Sequence, residues 1–162
     1  MSFGWRKKER LTSQVRGTKA KAEIEVDGRT LRLTNLDRVL YPETGFTKGD
    51  LIDYYAAVAP LMLPHLKDRP LSMRRFPEGV EEDGFWEKQC PDHRPDWVKT
   101  AAIKSESSDR GVVDYCLVND LSTLVWIANL GCIEFHLSLA RATRRKTPDF
   151  MVFDLDPGQP AD

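Results

Sequence analysis

The first regular pattern along the chain is an alternation of apolar and charged residues that begins at residue 23. Apolar residues occupy alternate positions on either side of an Asp-Gly pair: Ile24, Val26, Leu31 and Leu33. Successive side chains of a strand point to opposite faces, so the pattern predicts two strands that are apolar on one face. Because Asp27-Gly28 between such runs is a strong signal for a two-residue turn, we predict a β-hairpin here.

A helical pattern follows Gly45. Thr47 and Asp50 have the spacing of a capping box, in which each side chain accepts a hydrogen bond from the other residue's backbone amide. Behind them, apolar residues recur every three or four positions: Leu51, Tyr54, Tyr55, Val58, Leu61 and Met62. This spacing predicts a helix with one apolar face, which ends at Pro64 or within residues 67–70.

The rest of the chain contains five runs with the composition of strands and one further helical pattern. The strand candidates are residues 71–76, 98–103, 112–118, 133–139 and 150–155. A second helix is predicted from about Asp120 to about Cys132. The order of hairpin, helix, strands, helix and strands predicts an α+β fold with a mixed or antiparallel sheet and two main helices.

Charge is distributed unevenly over the 162 residues. The 24 basic and 25 acidic residues leave a formal charge of −1, although residues 1–22 hold seven basic residues and one acidic residue. The first 22 residues therefore carry +6 and residues 23–162 carry −7. This division predicts a flexible basic tail that attracts phosphates, followed by one folded portion over 23–162. A hydrophobic content of 41% is enough for a packed core and excludes a disordered or collagen-like chain.

The targeting and cysteine patterns favour the reducing cytoplasm. If the phosphates that the basic tail attracts belong to a nucleic acid, the chain would also associate with the nucleoid. No apolar run approaches the roughly 20 residues of a membrane helix, and no apolar stretch follows the basic start as in a secretory signal. Three widely spaced cysteines, Cys90, Cys116 and Cys132, argue against a disulfide framework. Cys90 and His93 could ligate a metal, but no second Cys/His pair accompanies them.

The most informative stretch is the last predicted strand, which ends in Asp154 and Asp156 before a Pro-Gly pair. Residues two apart on a strand share a face, so the two carboxylates would lie about 7 Å apart along the chain. Phe153 and Leu155 would anchor the opposite face in a core. Two such carboxylates can hold Mg²⁺ or Mn²⁺; the alternative is a strand end with two solvated aspartates.

The predicted start of the first helix has the chemistry of a phosphate site. Lys48 lies in the first turn, where unpaired amides attract anions and where a lysine by itself is unfavourable. Asn35 and Arg38, just before it, add a donor and a forked cation suited to phosphate. The alternative is that Lys48 points into water.

Aromatic and basic residues near the middle of the chain suggest contact with nucleobases. Phe85 and Trp86 would point to opposite faces of a strand, and an exposed ring can stack on a base. Three basic residues lie near them in the sequence: Arg74, Arg75 and Lys88. The alternative for either ring is a place in the core. His136 lies in an apolar run, so we expect a buried, hydrogen-bonded histidine, with a nucleotide contact as the less favoured role.

Together these stretches resemble the polymerase domain of bacterial ligase D, a member of the archaeo-eukaryotic primase superfamily. The matching runs are LTNLDRVLYP at 33–42, GFTKGD at 45–50, DYY at 53–55, RPL at 69–71, FWEKQ at 85–89 and VFDLDPG at 152–158. They occur in the same order and with similar spacing, and the resemblance covers about residues 24–158.

The resemblance implies a template-directed nucleotidyl transferase that prefers ribonucleotides and fills gaps during non-homologous end joining. Its substrate would be a nucleoside triphosphate, and Asp154 and Asp156 would bind catalytic Mn²⁺ or Mg²⁺. Its implied partners are DNA with 5′-phosphorylated ends or gaps, a ligase and the bacterial Ku end-binding protein.

The resemblance also implies which residues contact DNA. Three match positions that grip the 5′-phosphate of a downstream strand: Asn35, Arg38 and Lys48. Phe85 and Trp86 match an aromatic pair that stacks on the template, and His136 matches a histidine near the phosphates of the incoming nucleotide. Many relatives have lysine in place of Arg38 and phenylalanine in place of Trp86. The family has no zinc site at Cys90 and His93.

The chain also departs from the family. There, the catalytic half continues well beyond the Asp pair, with a Ser/Lys/His segment that binds the triphosphate and a third metal-binding aspartate. These motifs do not follow Gly158 here, so we expect the chain to be inactive by itself and to need a polypeptide that carries the C-terminal half. One alternative is a non-catalytic module that binds 5′-phosphorylated DNA ends. Another is a metal-dependent phosphatase, a class in which the Asp-x-Asp opens the fold.

Overall fold

The predicted hairpin is present in the computed structural model, which describes residues 11–14, 16–17, 21–106, 108, 110–155 and 158. Strand β2, Lys21–Val26, pairs with β3, Arg29–Thr34, and the short β1, Arg16–Gly17, pairs with the outer edge of β2. Asp27 and Gly28 have φ values of 49° and 72°, as a type I′ turn requires. The hairpin prediction is confirmed, whereas residues 1–10 of the predicted tail lie outside the described residues.

Helix α1, Lys48–Leu66, begins with the predicted capping box. The Thr47 hydroxyl accepts a bond from the Asp50 amide at 3.2 Å, and the Asp50 carboxylate accepts one from the Thr47 amide at 3.0 Å. Before the helix, β4, Val39–Tyr41, and β5, Phe46–Thr47, form a two-stranded sheet. The helix passes through two prolines and stops at Leu66, just before the predicted 67–70 end.

The buried face of α1 differs in part from the predicted one. Tyr54 and Leu61 are exposed, and Ile52 and Ala59 are buried instead. The face turns this way because α1 is held against the strand that follows α2, where the Tyr55 hydroxyl donates to backbone carbonyls at 3.0 and 3.3 Å. The spacing of apolar residues along the sequence does not show which side of a helix packs against the rest of the protein.

Helix α2, Leu121–Asn129, begins where it was predicted. The Asp120 carboxylate accepts a bond from the Thr123 amide at 2.8 Å and pairs with Arg29 at 2.8 Å, which ties the hairpin to the helix. The helix is buried over most of its length and packs against α1 and β3. It ends before the predicted Cys132, because Gly131 adopts a φ of 77° that stops the helix.

A five-stranded sheet forms the other layer. Its strands are β6, Pro70–Arg75; β7, Phe85–Glu87; β8, Thr100–Lys104; β9, Val112–Leu117; and β10, Cys132–Leu137. The order is β10-β6-β9-β8, with β7 also paired to β6, and every pairing among the described strands is antiparallel. Two short 3₁₀ helices, Leu11–Gln14 and Ala142–Arg144, complete the elements described. The α+β prediction is confirmed.

The prediction of a last strand over residues 150–155 is wrong. None of the described strands pairs with this segment, and its apolar side chains, including Phe153 and Leu155, are exposed rather than anchored in a core. An alternating pattern forms a strand only where a neighbouring strand takes up its backbone hydrogen bonds. Of the predicted metal ligands, Asp154 lies in this exposed segment and Asp156 lies outside the described residues.

The cysteine prediction is also wrong in part, because Cys90 and Cys116 form a disulfide. The loop after β7 lies along β9, where the Cys90 amide donates to the Asp114 carbonyl at 2.6 Å and Gln89 accepts a bond from the Asp114 amide at 3.0 Å. Cys132 is free and buried. Spacing in the sequence cannot show which cysteines the sheet brings face to face. The sulfur of Cys90, bonded to Cys116, is not available as the thiolate ligand of a Cys90/His93 metal pair.

The described residues include no helix that is long and apolar enough to cross a membrane.

A buried arginine anchors the segment that leads to Asp154. Arg69 is 2% exposed, and its guanidinium donates to Asp149 at 2.6 Å and to the Ser138 carbonyl at 3.2 Å. The Phe150 ring lies 4.2 Å from the same guanidinium. Arg69 therefore holds residues 138–150 against the start of β6.

We expect Arg69→Ala to lower the free energy of unfolding by about 2 kcal/mol, because it removes a buried stem and leaves the Ser138 carbonyl without its donor. Arg141→Ala is the matched control: Arg141 contacts the same Asp149 at 3.2 Å but is partly exposed, so its loss should stay below about 1 kcal/mol. Urea unfolding measures both values. Equal losses would contradict the anchoring role of Arg69.

Candidate nucleic-acid interface

A cavity of about 760 Å³ opens where β3 ends, α1 begins and the turn after β6 approaches both. Its polar lining includes Asn35, Lys48, Arg75, Glu78 and Asn129. The end of α2 and the loop around residues 93–95 complete the wall. The structure thus brings two of the three predicted phosphate-binding residues, Asn35 and Lys48, to one cavity.

Lys48 is only 6% exposed, so the alternative in which it points into water is wrong. Its Nζ atom lies 3.3 Å from the Thr34 hydroxyl at the end of β3. Burial, with the positive charges of Arg38 and then Arg75 adding to it, lowers the pKa of the Lys48 ammonium to about 8. An anion in the cavity would offset both the loss of hydration and the repulsion between the cations.

The backbone amides at the start of α1 are already bonded within the protein. The Lys48 amide donates to the Arg38 carbonyl and the Gly49 amide donates to the Leu36 carbonyl, both at 2.8 Å. The third amide is used by the capping box. The prediction of unpaired amides that attract a phosphate is therefore wrong for Lys48, Gly49 and Asp50. The groups left to bind an anion in the cavity are side chains such as Lys48 and Arg75.

A tight turn places Arg38 beside the cavity. Asn35 has a φ of 52°, and its carbonyl accepts a bond from the Arg38 amide at 3.0 Å. The Arg38 guanidinium forms an ion pair with Glu78, whose side chain lines the cavity. Arg38 is therefore neutralised by a neighbouring carboxylate in this structure.

Asn129 is a residue of this site that the sequence did not indicate. Its side-chain oxygen accepts a bond from the Thr34 amide at 3.0 Å, and its side-chain nitrogen donates to the Arg32 carbonyl at 3.2 Å. These bonds hold the end of β3 against the end of α2. Asn129 is the last residue of an apolar helix, and its only signal in the sequence is an amide at a helix end.

Arg75 links the cavity to strand β7. Its guanidinium lies 5.1 Å from the centre of the Phe85 ring, pairs with Glu87 at 2.6 Å and donates to the Leu130 carbonyl at 2.9 Å. The sequence placed Arg75 only near the aromatic pair. The structure places it in the cavity wall together with Lys48.

Phe85 and Trp86 are both exposed, at 44% and 54%, so the alternative that places them in the core is wrong for both. The register pairs Phe85 with Arg75 and Trp86 with Arg74. Because successive residues of a strand alternate in direction, the two rings point to opposite faces of the sheet, as predicted. Lys88, which follows β7, is exposed.

On the Trp86 face of the sheet, three side chains cluster with Glu134: Trp86, His136 and Arg74. The Trp86 and His136 rings lie 4.4 Å apart, and Glu134 bonds to His136 at 2.9 Å and to Arg74 at 3.0 Å. The hydrogen bond from His136, together with the charge of Arg74, holds the pKa of the Glu134 carboxyl below its usual value. His136 is exposed, so the expectation of a buried histidine is wrong: β10 pairs with β6 and turns this side chain outward beside Trp86.

The predicted metal site is not assembled by the described residues. They contain no group of three or more His, Cys, Asp or Glu side chains that could hold a metal ion. Asp154 is exposed, and its expected companion Asp156 is not described. The metal site at these two residues stays a prediction.

Residues 47–162 match the family model of the primase-polymerase domain of LigD. The chain belongs to this family. Over 137 residues it is 39% identical to the multifunctional non-homologous end joining protein LigD of Mycolicibacterium smegmatis, covering 80% of this chain and 17% of that protein. It is 34% identical over 127 residues to the bifunctional LigD of Bacillus subtilis, covering 78% of this chain and 20% of that protein.

A solved structure supports the assignment to the LigD family. The polymerase domain of Mycobacterium tuberculosis ligase D, in complex with DNA, matches with a TM-score of 0.65 and 40% identity. The match covers 68% of this chain and 38% of that domain. The resemblance described from the sequence is confirmed, and the phosphatase alternative gains no support from these matches. The chain spans a fifth or less of the length of these two curated relatives.

The buried charge of Lys48 predicts a pH-dependent cost to stability. Between pH 8 and its ordinary pKa of 10.5, the unfolded chain holds a proton at this lysine that the folded chain does not hold. Stability should therefore rise with pH across this window, and the full cost applies below it. We expect Lys48→Met to raise the free energy of unfolding by about 1–3 kcal/mol near pH 7, with little gain near pH 10.5.

The measurement is urea unfolding at several pH values, with the exposed Lys99→Met as the matched control. A Lys48→Met variant that is less stable than the unsubstituted chain at pH 7 would show that the buried charge of Lys48 does not destabilise the folded protein.

Proposed function

We propose that this chain grips 5′-phosphorylated DNA ends or gaps for a LigD-type polymerase in non-homologous end joining. The observation that carries the proposal is the buried ammonium of Lys48, which faces a cavity together with Arg75 and lies near Arg38. Arg38 and Arg75 are each paired with a carboxylate, but the buried Lys48 ammonium contacts the neutral Thr34 hydroxyl, so an anion in the cavity would be favourable beside it.

A terminal phosphate suits this cavity better than an internal one. A phosphate monoester carries about −1.5 to −2 at neutral pH, whereas a phosphodiester carries a single charge. An end can also enter a recess, while the backbone of a continuous strand passes over it. In this proposal Lys48 acts as a point charge, Arg38 as a forked donor and Asn35 as a neutral donor.

The exposed aromatic rings of β7 extend the proposed interface beyond the phosphate. Phe85 lies against Arg75 of the cavity wall, and Trp86 lies against His136 on the other face. Stacking of a base on such a ring contributes about 1–3 kcal/mol without regard to sequence. We propose that Phe85 and Trp86 stack on template bases exposed at the gap, with Arg74 and Lys88 as nearby backbone contacts.

For the polymerase reaction we propose Asp154 and Asp156 as the residues that hold Mn²⁺ or Mg²⁺. Carboxylate oxygens are the hard donors these ions prefer, so the residue types fit the group. A bound metal would supply the neutralisation of charge that phosphoryl transfer from a nucleoside triphosphate requires. His136 is proposed to lie near the triphosphate, and a ligase and Ku are the proposed protein partners. Extension of a primer with Mn²⁺ and ribonucleotides separates this reaction from a role in binding alone.

The phosphate proposal is tested with a gapped duplex that carries either a 5′-phosphate or a 5′-hydroxyl at the downstream strand. We expect the phosphate to tighten binding about ten-fold or more, as measured by fluorescence anisotropy, since charge-assisted bonds are each worth about 1.5–3 kcal/mol. Lys48→Met and Arg38→Gln should each remove most of that preference. The control Lys99→Met should keep it. Equal affinity of the unsubstituted chain for the two duplexes would defeat the proposal.

The preference for the phosphate should also depend on pH. The free protein loses the Lys48 proton around pH 8, and a bound phosphate would raise this pKa, so binding above pH 8 takes up a proton. We expect the preference to fall roughly ten-fold between about pH 7.5 and pH 9.5. The small preference left in Lys48→Met should not change over this range. A pH-independent preference in the unsubstituted chain would exclude Lys48 as the responsible cation.

A further inference from the structure

We propose that Glu78 is an internal competitor for the 5′-phosphate, and that its carboxylate sets how strongly Arg38 can grip a DNA end. This inference rests on the proposed function of the cavity and adds a residue that determines its affinity. Arg38 and Glu78 form an ion pair, and Glu78 lines the same cavity as Lys48. The Glu78 carboxylate therefore contacts the guanidinium that the 5′-phosphate would bind.

The turn that carries Glu78 is held firmly beside Arg38. The Val80 amide donates to the Leu40 carbonyl at 2.9 Å, which fixes the turn to the strand that directly follows Arg38. Gly79 has a φ of 113°, and a Cβ there would lie 3.3 Å from the Leu40 carbonyl oxygen. The backbone of the turn is therefore in close contact with β4 and is not free to swing away.

The other side of the turn is equally restricted. A Cβ at Gly131 would lie 3.1 Å from the Cα atom of Pro77, so α2 ends directly against the turn. The Phe76 amide also donates to the Gly131 carbonyl at 2.8 Å. With both flanks packed, movement is left mainly to the side chain of Glu78, which is 63% exposed.

Glu78 is distinct from the other acidic residues around the cavity. Among the described residues, Glu23 also lines it, but that carboxylate pairs with the exposed Arg32 on the hairpin. Glu87 pairs with Arg75 in a more enclosed bridge, with side chains 16% and 24% exposed. Glu78 is thus the cavity-lining carboxylate that pairs with a residue of the proposed phosphate grip.

Competition follows from the charges. A guanidinium binds a carboxylate and a phosphate through the same N–H donors, so the Glu78 carboxylate takes up part of the donor capacity and the charge that Arg38 would offer a phosphate. The phosphate also meets the negative charge of Glu78 while it enters. A 5′-hydroxyl end brings no group that needs Arg38, so the carboxylate affects it much less. Glu78 should therefore lower the affinity for phosphorylated ends and keep the grip reversible.

The test uses the full chain and the same gapped duplexes with 5′-phosphate or 5′-hydroxyl. We expect Glu78→Gln to tighten binding of the phosphorylated duplex about three- to ten-fold and to change binding of the hydroxyl duplex less than about two-fold. Glu81→Gln is the matched control, because it removes the same charge from the exposed loop just beyond the turn. Its effect on the two duplexes should be equal and small.

A double-substitution cycle shows whether the gain acts through Arg38. In an Arg38→Gln background, Glu78→Gln should give a clearly smaller gain than in the unsubstituted chain, since only the repulsion between the carboxylate and the phosphate is left to remove. A full gain in that background, or no gain from Glu78→Gln alone, would overturn the inference. An unsubstituted chain that ignores the 5′-phosphate would instead defeat the proposed function, so the two failures are distinguishable.

Discussion

The buried ammonium of Lys48 is the interaction on which the rest of the site depends. Burial, and after it the charges of two nearby arginines, lowers the pKa of this lysine to about 8, so an ammonium that is 6% exposed is held in place at an energetic cost. The surrounding structure fixes the position of the Lys48 backbone. The capping box fixes the start of α1, the Asn35 turn fixes the end of β3, and Asn129 ties that end to α2. This cost is understandable if the cavity exists to receive an anion.

Strand β6 divides the interface into two faces. Arg75 points toward the cavity and Phe85, whereas its neighbour Arg74 points toward Trp86 and Glu134. The alternation of a strand thus separates a phosphate-attracting side from an aromatic side that includes His136. Each arginine is also paired with a carboxylate. The positive potential of the surface is therefore limited by ion pairs, and these pairs determine how strongly it attracts an anion.

Local rules explain how much of the fold was predictable. The Asp27-Gly28 turn and the capping box at Thr47 depend on residues a few positions apart and are present as predicted, and the second helix begins near Asp120 as predicted. The family could also be recognised from short runs, because their order and spacing survive in the sequence. Whether a segment forms a strand depends on a neighbouring strand that pairs with it. The alternating pattern of residues 150–155 could not show that none of the described strands does so.

The candidate site was only half predictable for the same reason. The sequence by itself determined which residues have the chemistry for DNA contacts, since residue type is local: Lys48 is a cation and Trp86 a large aromatic ring. Only the tertiary structure decided what those groups face. It buried Lys48, exposed His136, joined Cys90 to Cys116 and set Glu78 against Arg38. Pairings of this kind join residues far apart in the chain, and their burial and charge are set by packing.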